Sequence, residues 1–411
     1  MTMQPLWSIS YALYTFYLSL YMKSLGVTDR QIGYLISLGY AVGFLVSLFA
    51  GLVIDAMGRK KATLVFDLLA WPVMTALYAV SYRFWHFAAA MALGNAALRF
   101  VGISWTLTVI EDADTEERVA AFNLSMTINI AMGILTPAAG LLVRRLGIVA
   151  GERALLCFAS LVMTTMMLIR HRMLKETKIG REILAERRKG FAASGAVAVF
   201  YQRTFACLRA RPRIKWILMA IVLFNTFNAF GSFLSLYYGL YLTEALKLDK
   251  SAISLLGGIN AAVLLTILIF LVPAVTSKHR RAAMFCGLGL QAAALGMFIA
   301  MPRGRLGWAA FSVVVFAIGF GLFRPFVDSL LAEVTEGKDR AGLYSLMNLA
   351  MASLCVVMGV ASGWLYHYRP ALLYLVSLGI LTLSAILLGF GSRADSPNRQ
   401  GTSDDLTCEG F

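Results

Sequence analysis

Pairs of opposite charges stand where long apolar segments of this chain end. Asp55 is followed by Arg59, and Glu111 is separated from Arg118 by six residues. A shift of 222 residues carries the last three of these charges onto residues of the same type, namely Arg281, Glu333 and Arg340. Such side chains can form and break ion pairs between neighbouring helices. Their recurrence indicates that the two halves of the chain are copies of one unit.

The elements that must position these charges are membrane-spanning helices. The 411-residue chain is 59% hydrophobic and 14% charged, with a mean hydropathy of +0.73. Soluble domains are about half apolar and a quarter charged. Apolar runs of about 18 residues or more can cross the hydrocarbon core of a bilayer. We number the twelve such runs span 1 to span 12, centred near residues 14, 42, 72, 98, 133, 162, 229, 264, 291, 319, 353 and 380.

The basic charge follows a membrane topology. The formal net charge is +15, and most of the 37 Lys and Arg residues fall in loops on one side, above all in the stretch 170–215. Basic loops stay in the cytoplasm, so we predict cytoplasmic N- and C-termini and a plasma (inner) membrane location. Residues 1–22 carry no charge, so we expect span 1 to be a membrane helix rather than a cleaved leader. Topology explains the charge without a nucleic-acid partner.

A fuller pattern surrounds the first charge pair, between spans 2 and 3: Gly51-x-x-x-Asp55-x-x-Gly58-Arg59-Lys60. Together with the Glu-x6-Arg pairs after spans 4 and 10, it resembles the signature of the major facilitator superfamily, and the likeness covers residues 5–392. The resemblance implies two six-helix bundles and a loop that locks the inner gate in the outward-open state. In the second half only Arg280 and Arg281 of the loop motif remain.

The alternative is that these charges are ordinary solvated helix ends. Helix polarity argues against it, because the acids would lie at helix C-termini and two of the arginines at N-termini, each disfavoured by about 0.3–1 kcal/mol. We therefore interpret the charges as partners between helices. Gly51 would let another helix approach closely, and Gly58 would permit the tight turn into span 3. The misplaced charges are Asp55, Glu111, Glu333, Arg118 and Arg340.

The predicted fold is all-α: an integral membrane protein with twelve transmembrane helices in two pseudo-symmetric six-helix bundles. We expect an N-terminal bundle at 1–170, a cytoplasmic basic linker at 171–213, a C-terminal bundle at 214–392 and a disordered cytoplasmic tail at 393–411. Part of the linker is amphipathic, which fits a helix along the inner leaflet or a regulatory site. Two bundles related by an axis along the membrane normal leave a cavity at mid-depth, where we place the substrate.

Four ionisable side chains fall inside the spans, where an ionised group costs about 2.5–3.5 kcal/mol. Arg99 and Arg324 lie roughly 18 Å and 14 Å from the inner ends of spans 4 and 10. Each is expected to face a cavity or a partner. Asp328, one turn from Arg324, is either its structural ion-pair partner or a proton carrier. Asp67 in span 3 is either a proton carrier or a polar neighbour of the Arg59 loop.

Further polar residues mark the predicted cavity. Tyrosines along one face of span 1 and asparagines in span 7 either line the substrate site or serve aromatic packing and interhelical hydrogen bonding. Span 5 carries Pro137 followed by Gly140, which resembles the antiporter motif of drug exporters and favours export. The cavity candidates are Tyr11, Tyr14, Tyr17, Tyr21, Asn225 and Asn228.

These features predict a secondary transporter: proton-coupled efflux of small amphiphilic compounds by alternating access, with the protein acting as a monomer among membrane lipids. The alternatives are a solute-uptake symporter, a flippase for an anionic lipid, which the two mid-membrane arginines favour, and a non-transporting receptor. The sequence has no phosphate-binding loop, metal cluster or nucleophile constellation, so we expect no cofactor, no metal and no enzyme activity. The five cysteines are scattered and predict no disulfide framework.

Overall fold

The protein is built from helices that follow the apolar runs of the sequence. The computed structural model describes residues 3–110, 115–187, 212–233, 235–334 and 340–393. Within these ranges every regular element is helical. The helices account for all twelve predicted spans, and one further helix, Lys178–Arg187, lies between spans 6 and 7.

Apolar composition builds the first six spans, and proline and glycine decide where two of them are interrupted. Pro72 lies in a π turn of span 3, and Pro137 restarts span 5 after Gly133, as expected of a residue that lacks a backbone N–H. The bounds are Gln4–Thr15 and Leu18–Ser24 (span 1), Asp29–Ser47 and Ala50–Met57 (span 2), Arg59–Leu68, Leu69–Val73 and Met74–Ala79 (span 3), Phe84–Ile110 (span 4), Thr115–Gly133 and Pro137–Leu146 (span 5) and Ile148–Met173 (span 6).

The second six spans repeat this plan. Span 7 ends its first helix at Phe230 and resumes at Leu236, and spans 7 and 8 each finish with a π turn. The bounds are Pro212–Phe230, Leu236–Leu240 and Tyr241–Ala245 (span 7), Lys250–Thr266 and Ile267–Leu271 (span 8), Arg280–Ile299 (span 9), Leu306–Val334 (span 10), Arg340–Tyr368 (span 11) and Pro370–Arg393 (span 12).

The lengths of the helices suit a bilayer. In the described part of the chain, nine helices are each long and apolar enough to cross a membrane. Span 2 is a tenth if its two segments, which meet at 60°, are counted together. Spans 1 and 7 are divided into shorter helices. The predicted all-α architecture of twelve helices in two six-helix bundles is confirmed.

The two halves meet at interfaces that the internal repeat relates to each other. Span 2 packs on span 11, span 5 packs on span 8, and span 1 touches span 7. The repeat places span 8 in the role of span 2, and span 11 in the role of span 5. One interface is therefore the copy of the other, as expected for two units related by an axis along the membrane normal.

The second segment of span 2, Ala50–Met57, belongs to a small core of its own. Ala50, Ile54, Ala62 and Phe100 are buried together there, apart from the main core. They join the end of span 2 to spans 3 and 4, so the bend in span 2 separates two packing environments. We call the end of the bundle that holds Ala50–Met57 the motif end, and the opposite end, which holds Lys23, the far end.

Candidate functional site

Spans 2 and 11 touch backbone to backbone toward the far end. A Cβ atom on Gly33 would lie 2.6 Å from the carbonyl oxygen of Gly359 and 2.8 Å from the Cα of Gly363. A Cβ on Gly359 would lie 2.8 Å from the backbone nitrogen of Ser37. The hydroxyl of Ser37 donates to the carbonyl oxygen of Val356 at 2.7 Å. Small residues on both helices are what allow this approach.

A cluster of charges joins the two halves beside this crossing. The Nζ atom of Lys23 lies 2.6 Å from Asp29 and 2.6 Å from Glu244, which belongs to the second half. The hydroxyl of Tyr237 donates to the carbonyl oxygen of Asp29 at 3.1 Å, and the Nδ1 atom of His367 lies 3.8 Å from its carboxylate. Exposed ion pairs contribute about 0–1 kcal/mol each. The cluster therefore contributes more to the relative alignment of the two halves than to the free energy that holds them together.

Tyr17 makes a third contact between the halves. Its side chain is fully buried. Its hydroxyl lies 3.0 Å from the carbonyl oxygen of Lys250, which accepts, and 2.9 Å from the Oγ atom of Ser254. Within the described residues, the hydrogen bonds and ion pairs between the halves join residues of the far end and of the adjoining part of the spans. The far end is closed in this conformation.

The proline and glycine of span 5 face the same interface. A Cβ on Gly140 would overlap the hydroxyl of Ser254, and a Cβ on Gly258 would lie 2.8 Å from the ring of Pro137. Spans 5 and 8 therefore depend on small residues, as spans 2 and 11 do. The structure places the Pro137–Gly140 motif in this contact between the halves.

We expect a larger side chain at the crossing of spans 2 and 11 to open the far end. Gly33→Val would overpack the contact at a cost of about 1–3 kcal/mol, which corresponds to a shift of about 5–150-fold toward the open state. Thiol labelling of a Ser37→Cys reporter from the far side would measure the shift.

Gly379→Val is the matched control, because a Cβ there would meet nothing within 4 Å. Equal labelling in both variants would show that the crossing does not set the closed state.

Arg99 carries a polar atom without a partner at mid-depth. Its Nε atom is buried and, among the described residues, has no hydrogen-bond acceptor. A Cβ on Gly43 of span 2 would lie 2.6 Å from this atom, so only glycine leaves room for the guanidinium. Tyr40 of span 2 and Cys355 of span 11 lie within electrostatic range of it. The free donor therefore lies at the boundary between the halves.

Arg324 is engaged in contrast. Its Nε atom donates to the carboxylate of Asp328 at 2.8 Å, and its Nη1 atom donates to the Oδ1 atom of Asn225 at 2.9 Å. The structure thus brings three of the predicted cavity residues together on spans 7 and 10. Asn228, one turn further along span 7, has a buried Oδ1 atom without a partner in the described residues.

Asp67 forms an ion pair with Arg170 of span 6. The carboxylate is almost fully buried, and the guanidinium also lies 5.3 Å from the ring of Trp105. The sequence left open whether Asp67 is a proton carrier or a neighbour of the Arg59 loop. Its direct partner is a different arginine, from a span that sequence spacing does not bring near.

The span 1 tyrosines differ in exposure. Tyr11 is 39% exposed and stacks on Trp7, with the edge of Trp71 beside it. Tyr14 is buried, and Tyr21 is held by the carbonyl oxygen of Tyr78 at 3.0 Å. Of the four tyrosines, Tyr11 is therefore the one that offers an aromatic surface.

At the motif end, Asp55 and Arg59 form an ion pair between the end of span 2 and the start of span 3. The Nη1 atom of Arg59 lies 2.5 Å from the carboxylate of Asp55, and the arginine is buried. Gly58 turns the chain into span 3 with a φ of 81°, which only glycine adopts readily. A Cβ on Gly51 would meet no described atom within 4 Å, so the close helix approach predicted there is not made in this conformation.

Glu176, which the sequence analysis did not identify, holds the start of span 3. Its carboxylate accepts from the backbone N–H of Arg59 at 2.7 Å and of Lys60 at 3.0 Å. An anion at a helix N-terminus satisfies free donors and the helix dipole together. Leu184 of the helix Lys178–Arg187 packs on Gly58 beside it. The start of the linker is thus docked on the motif.

Substitution of Glu176 should weaken this docking. We expect Glu176→Gln to lower the free energy of unfolding by about 0.5–2 kcal/mol, the usual worth of a helix cap. Thermal unfolding of the purified protein would measure the loss.

Glu182→Gln is the control, because this exposed carboxylate lies nearby in the chain, on the linker helix Lys178–Arg187. An equal loss of stability in both variants would contradict the capping role of Glu176.

In the second half the carboxylate of Glu333 pairs with Arg280, at 2.7 Å. The internal repeat had pointed to the next residue, Arg281, as its partner. Successive residues of a helix point about 100° apart, so a shift of one residue selects a different neighbour. Glu111 lies outside the described residues, as do the side chains of Arg118 and Arg340.

A charge-reversal cycle should locate the second-half contact at Arg280. We expect Arg280→Glu and Glu333→Arg each to reduce transport, and the double variant to recover part of it, because the two reversals restore opposite charges. Proteoliposome transport rates would measure the coupling. Better recovery from Glu333→Arg combined with Arg281→Glu would contradict the assignment.

The architecture defines a class of protein: a helical membrane transporter made of two repeated bundles whose interface closes at one end. The family model of the Major Facilitator Superfamily matches residues 6–242 and 228–406. The chain belongs to the Major Facilitator Superfamily, a family of membrane transporters. No curated protein matches the chain closely enough to count as a relative.

Solved transporters share the fold at low sequence identity. The inward-open xylose transporter XylE from E. coli is 12% identical, with a TM-score of 0.65 and coverage of 98% of this chain and 97% of that one. The nucleoside transporter NupG is 14% identical, with a TM-score of 0.65 and 95% and 99% coverage. A bacterial homologue of the iron transporter ferroportin, in an inward-facing state, is 14% identical, with a TM-score of 0.66 and 95% and 97% coverage.

Proposed function

We propose that this protein exports small amphiphilic molecules across the plasma membrane by alternating access, in exchange for protons. The observation that carries the proposal is the seal that the described residues form between two repeated bundles at the far end, through small residues of spans 2 and 11 and of spans 5 and 8. The internal repeat relates these two interfaces to each other. Their contacts can therefore be released at one end of the bundles while equivalent segments come together at the other end. The cycle then needs two states of one structure, whose populations ligands shift.

The orientation of the cycle follows from charge. The motif end is joined to the linker, whose region 170–215 is the most basic of the chain. Basic loops are retained in the cytoplasm, which supports a cytoplasmic location for the motif end and both termini. In an export cycle, the conformation with a closed far end is the one that loads its cargo from the cytoplasm.

The cargo is inferred from the side chains at mid-depth. Tyr11 and Trp71 supply aromatic surface, and Arg99 and Asn228 supply a buried donor and a buried acceptor without partners in the described residues. Sites for small molecules combine an apolar wall with a few such polar groups. An amphiphile of modest size meets both requirements.

Proton exchange is assigned to the ion pair in span 10. Asp328 is half exposed and bound to Arg324. A cargo that takes over this arginine would leave the carboxylate free to bind a proton. The contact of Pro137 and Gly140 with span 8 supports the assignment to export only through the resemblance of that motif to drug exporters.

A second candidate is transport of an anionic amphiphile, such as a lipid with an acidic headgroup. The free Nε atom of Arg99 favours it, because a buried guanidinium seeks a carboxylate or phosphate. The two candidates differ in the charge of the cargo and are separated by the same experiment.

The test is transport by the purified protein in proteoliposomes under an imposed pH gradient. The probes are ethidium, an amphiphilic cation, and laurate, an amphiphilic anion, with a pH-sensitive dye inside the vesicles. We expect each transported probe to move protons in the opposite direction. Arg99→Ala should lower laurate transport at least tenfold if the arginine binds the anion, since such charge-assisted contacts are worth about 1.5–3 kcal/mol.

The control is Arg83→Ala, because Arg83 is exposed in the loop between spans 3 and 4. Probe movement without proton movement would remove the exchange mechanism. Saturable binding without accumulation of either probe would indicate a receptor instead of a transporter.

A further inference from the structure

Glu152 is a buried acid that neither the motif nor the cavity accounts for. It is the fifth residue of span 6, about 6 Å inside the far end of that helix at 1.5 Å per residue. The residue has no exposed surface. Among the described residues, neither of its carboxylate oxygens has a hydrogen-bond partner. Its neighbours on the helix include the buried apolar residues Leu155 and Leu156.

The adjacent arginine does not neutralise this acid. Arg153 points to another face of the helix, where its Nε atom donates to the hydroxyl of Tyr21 at 3.1 Å and its Nη2 atom donates to the carbonyl oxygen of Ser81 at 3.3 Å. Its guanidinium also lies over the ring of Tyr82. No other cation of the described residues contacts Glu152.

The elements packed on this part of span 6 are spans 1, 3 and 5. Span 5 supplies the apolar residue Val143, which packs on Gly151. Three tyrosines of span 1 lie within electrostatic range of the carboxyl group, namely Tyr14, Tyr17 and Tyr21. Tyr78 of span 3 lies beside the first of them.

An ionised carboxylate in this position would be shielded from bulk solvent and, among the described residues, would have neither a cation nor a hydrogen-bond donor. The cost of burying one such ion is several kcal/mol even after relaxation. A neutral carboxylic acid avoids that cost. We propose that Glu152 is a proton-binding site that is occupied when the far end is closed, and that its proton links the pH of the far-side compartment to closure.

The link runs through Tyr17. In the closed state its hydroxyl is engaged by Lys250 and Ser254 of the other half, while the same tyrosine lies within electrostatic range of Glu152. When span 8 moves away, this hydroxyl becomes available and water can enter. Both changes favour the ionised acid. One proton is therefore released as the far end opens and taken up as it closes.

The inference rests on the proposed transport cycle, but its first test does not need a transported molecule. Infrared spectra of the protein in nanodiscs at neutral pH should show the C=O stretch of a protonated carboxylic acid. We expect Glu152→Gln to remove that band and Asp67→Asn to keep it. A band that is unchanged in Glu152→Gln would overturn the proposal.

The second test measures closure directly. Spin labels at Trp85→Cys and Tyr368→Cys, both exposed far-end positions in opposite halves, would report their separation by pulsed EPR after the native cysteines are replaced. For one linked proton, the ratio of closed to open molecules should rise by up to about tenfold for each unit of falling pH. Glu152→Gln and Glu152→Leu should be closed at every pH.

A control variant distinguishes the effect of Glu152 from that of another ionisable side chain at the far end. His367 lies by Asp29 in the Lys23 cluster, and His367→Gln should retain the pH dependence. A pH dependence that survives in Glu152→Gln, or that disappears in His367→Gln alone, would refute the role of Glu152. If transport into vesicles moves no protons but the infrared and EPR results are as expected, the proton-exchange mechanism is contradicted and the assignment of Glu152 as a proton-binding site is retained.

Discussion

The close approach of spans 2 and 11 is the constraint on which the rest of the structure depends. Helices in a bilayer gain little from the hydrophobic effect between themselves, so close contact must supply the attraction. Gly33 and Gly359 allow it because neither has a Cβ atom. The Lys23 cluster lies beside this crossing, and the Tyr17 contact lies at the matching interface of spans 5 and 8. Two bundles are thereby held together at one end.

The sequence predicted the fold because membrane-spanning helices can be recognised from the length and the apolar composition of their segments. It also identified Asp55 and Arg59, which stand close together in the chain on either side of the turn at Gly58 and pair there. Both are local properties of the chain. The repeat also identified the region around Glu333. It did not identify Arg280 as the partner, because which of two successive arginines faces Glu333 depends on how the two helices are positioned against each other.

Contacts between distant segments could not be predicted in this way. Glu176 caps span 3 from the start of the linker, and Arg170 reaches Asp67 from span 6. In both cases the pattern shows that a charge needs a partner, and the fold alone decides which partner lies near. Glu152 stands close to the start of its span and belongs to no motif of the sequence. Its burial follows from the packing of spans 1, 3 and 5 around it.

The bend in span 2 has a mechanical consequence. Asp29–Ser47 packs on span 11 of the other half as well as on span 4, whereas Ala50–Met57 packs on spans 3 and 4 and on the linker helix. The contact with the partner bundle and the motif therefore belong to two segments of the same span. Leu48 and Phe49, both largely exposed, join these two segments. The stiffness of these two residues determines how strongly the opening of the far end is coupled to a rearrangement of the motif end.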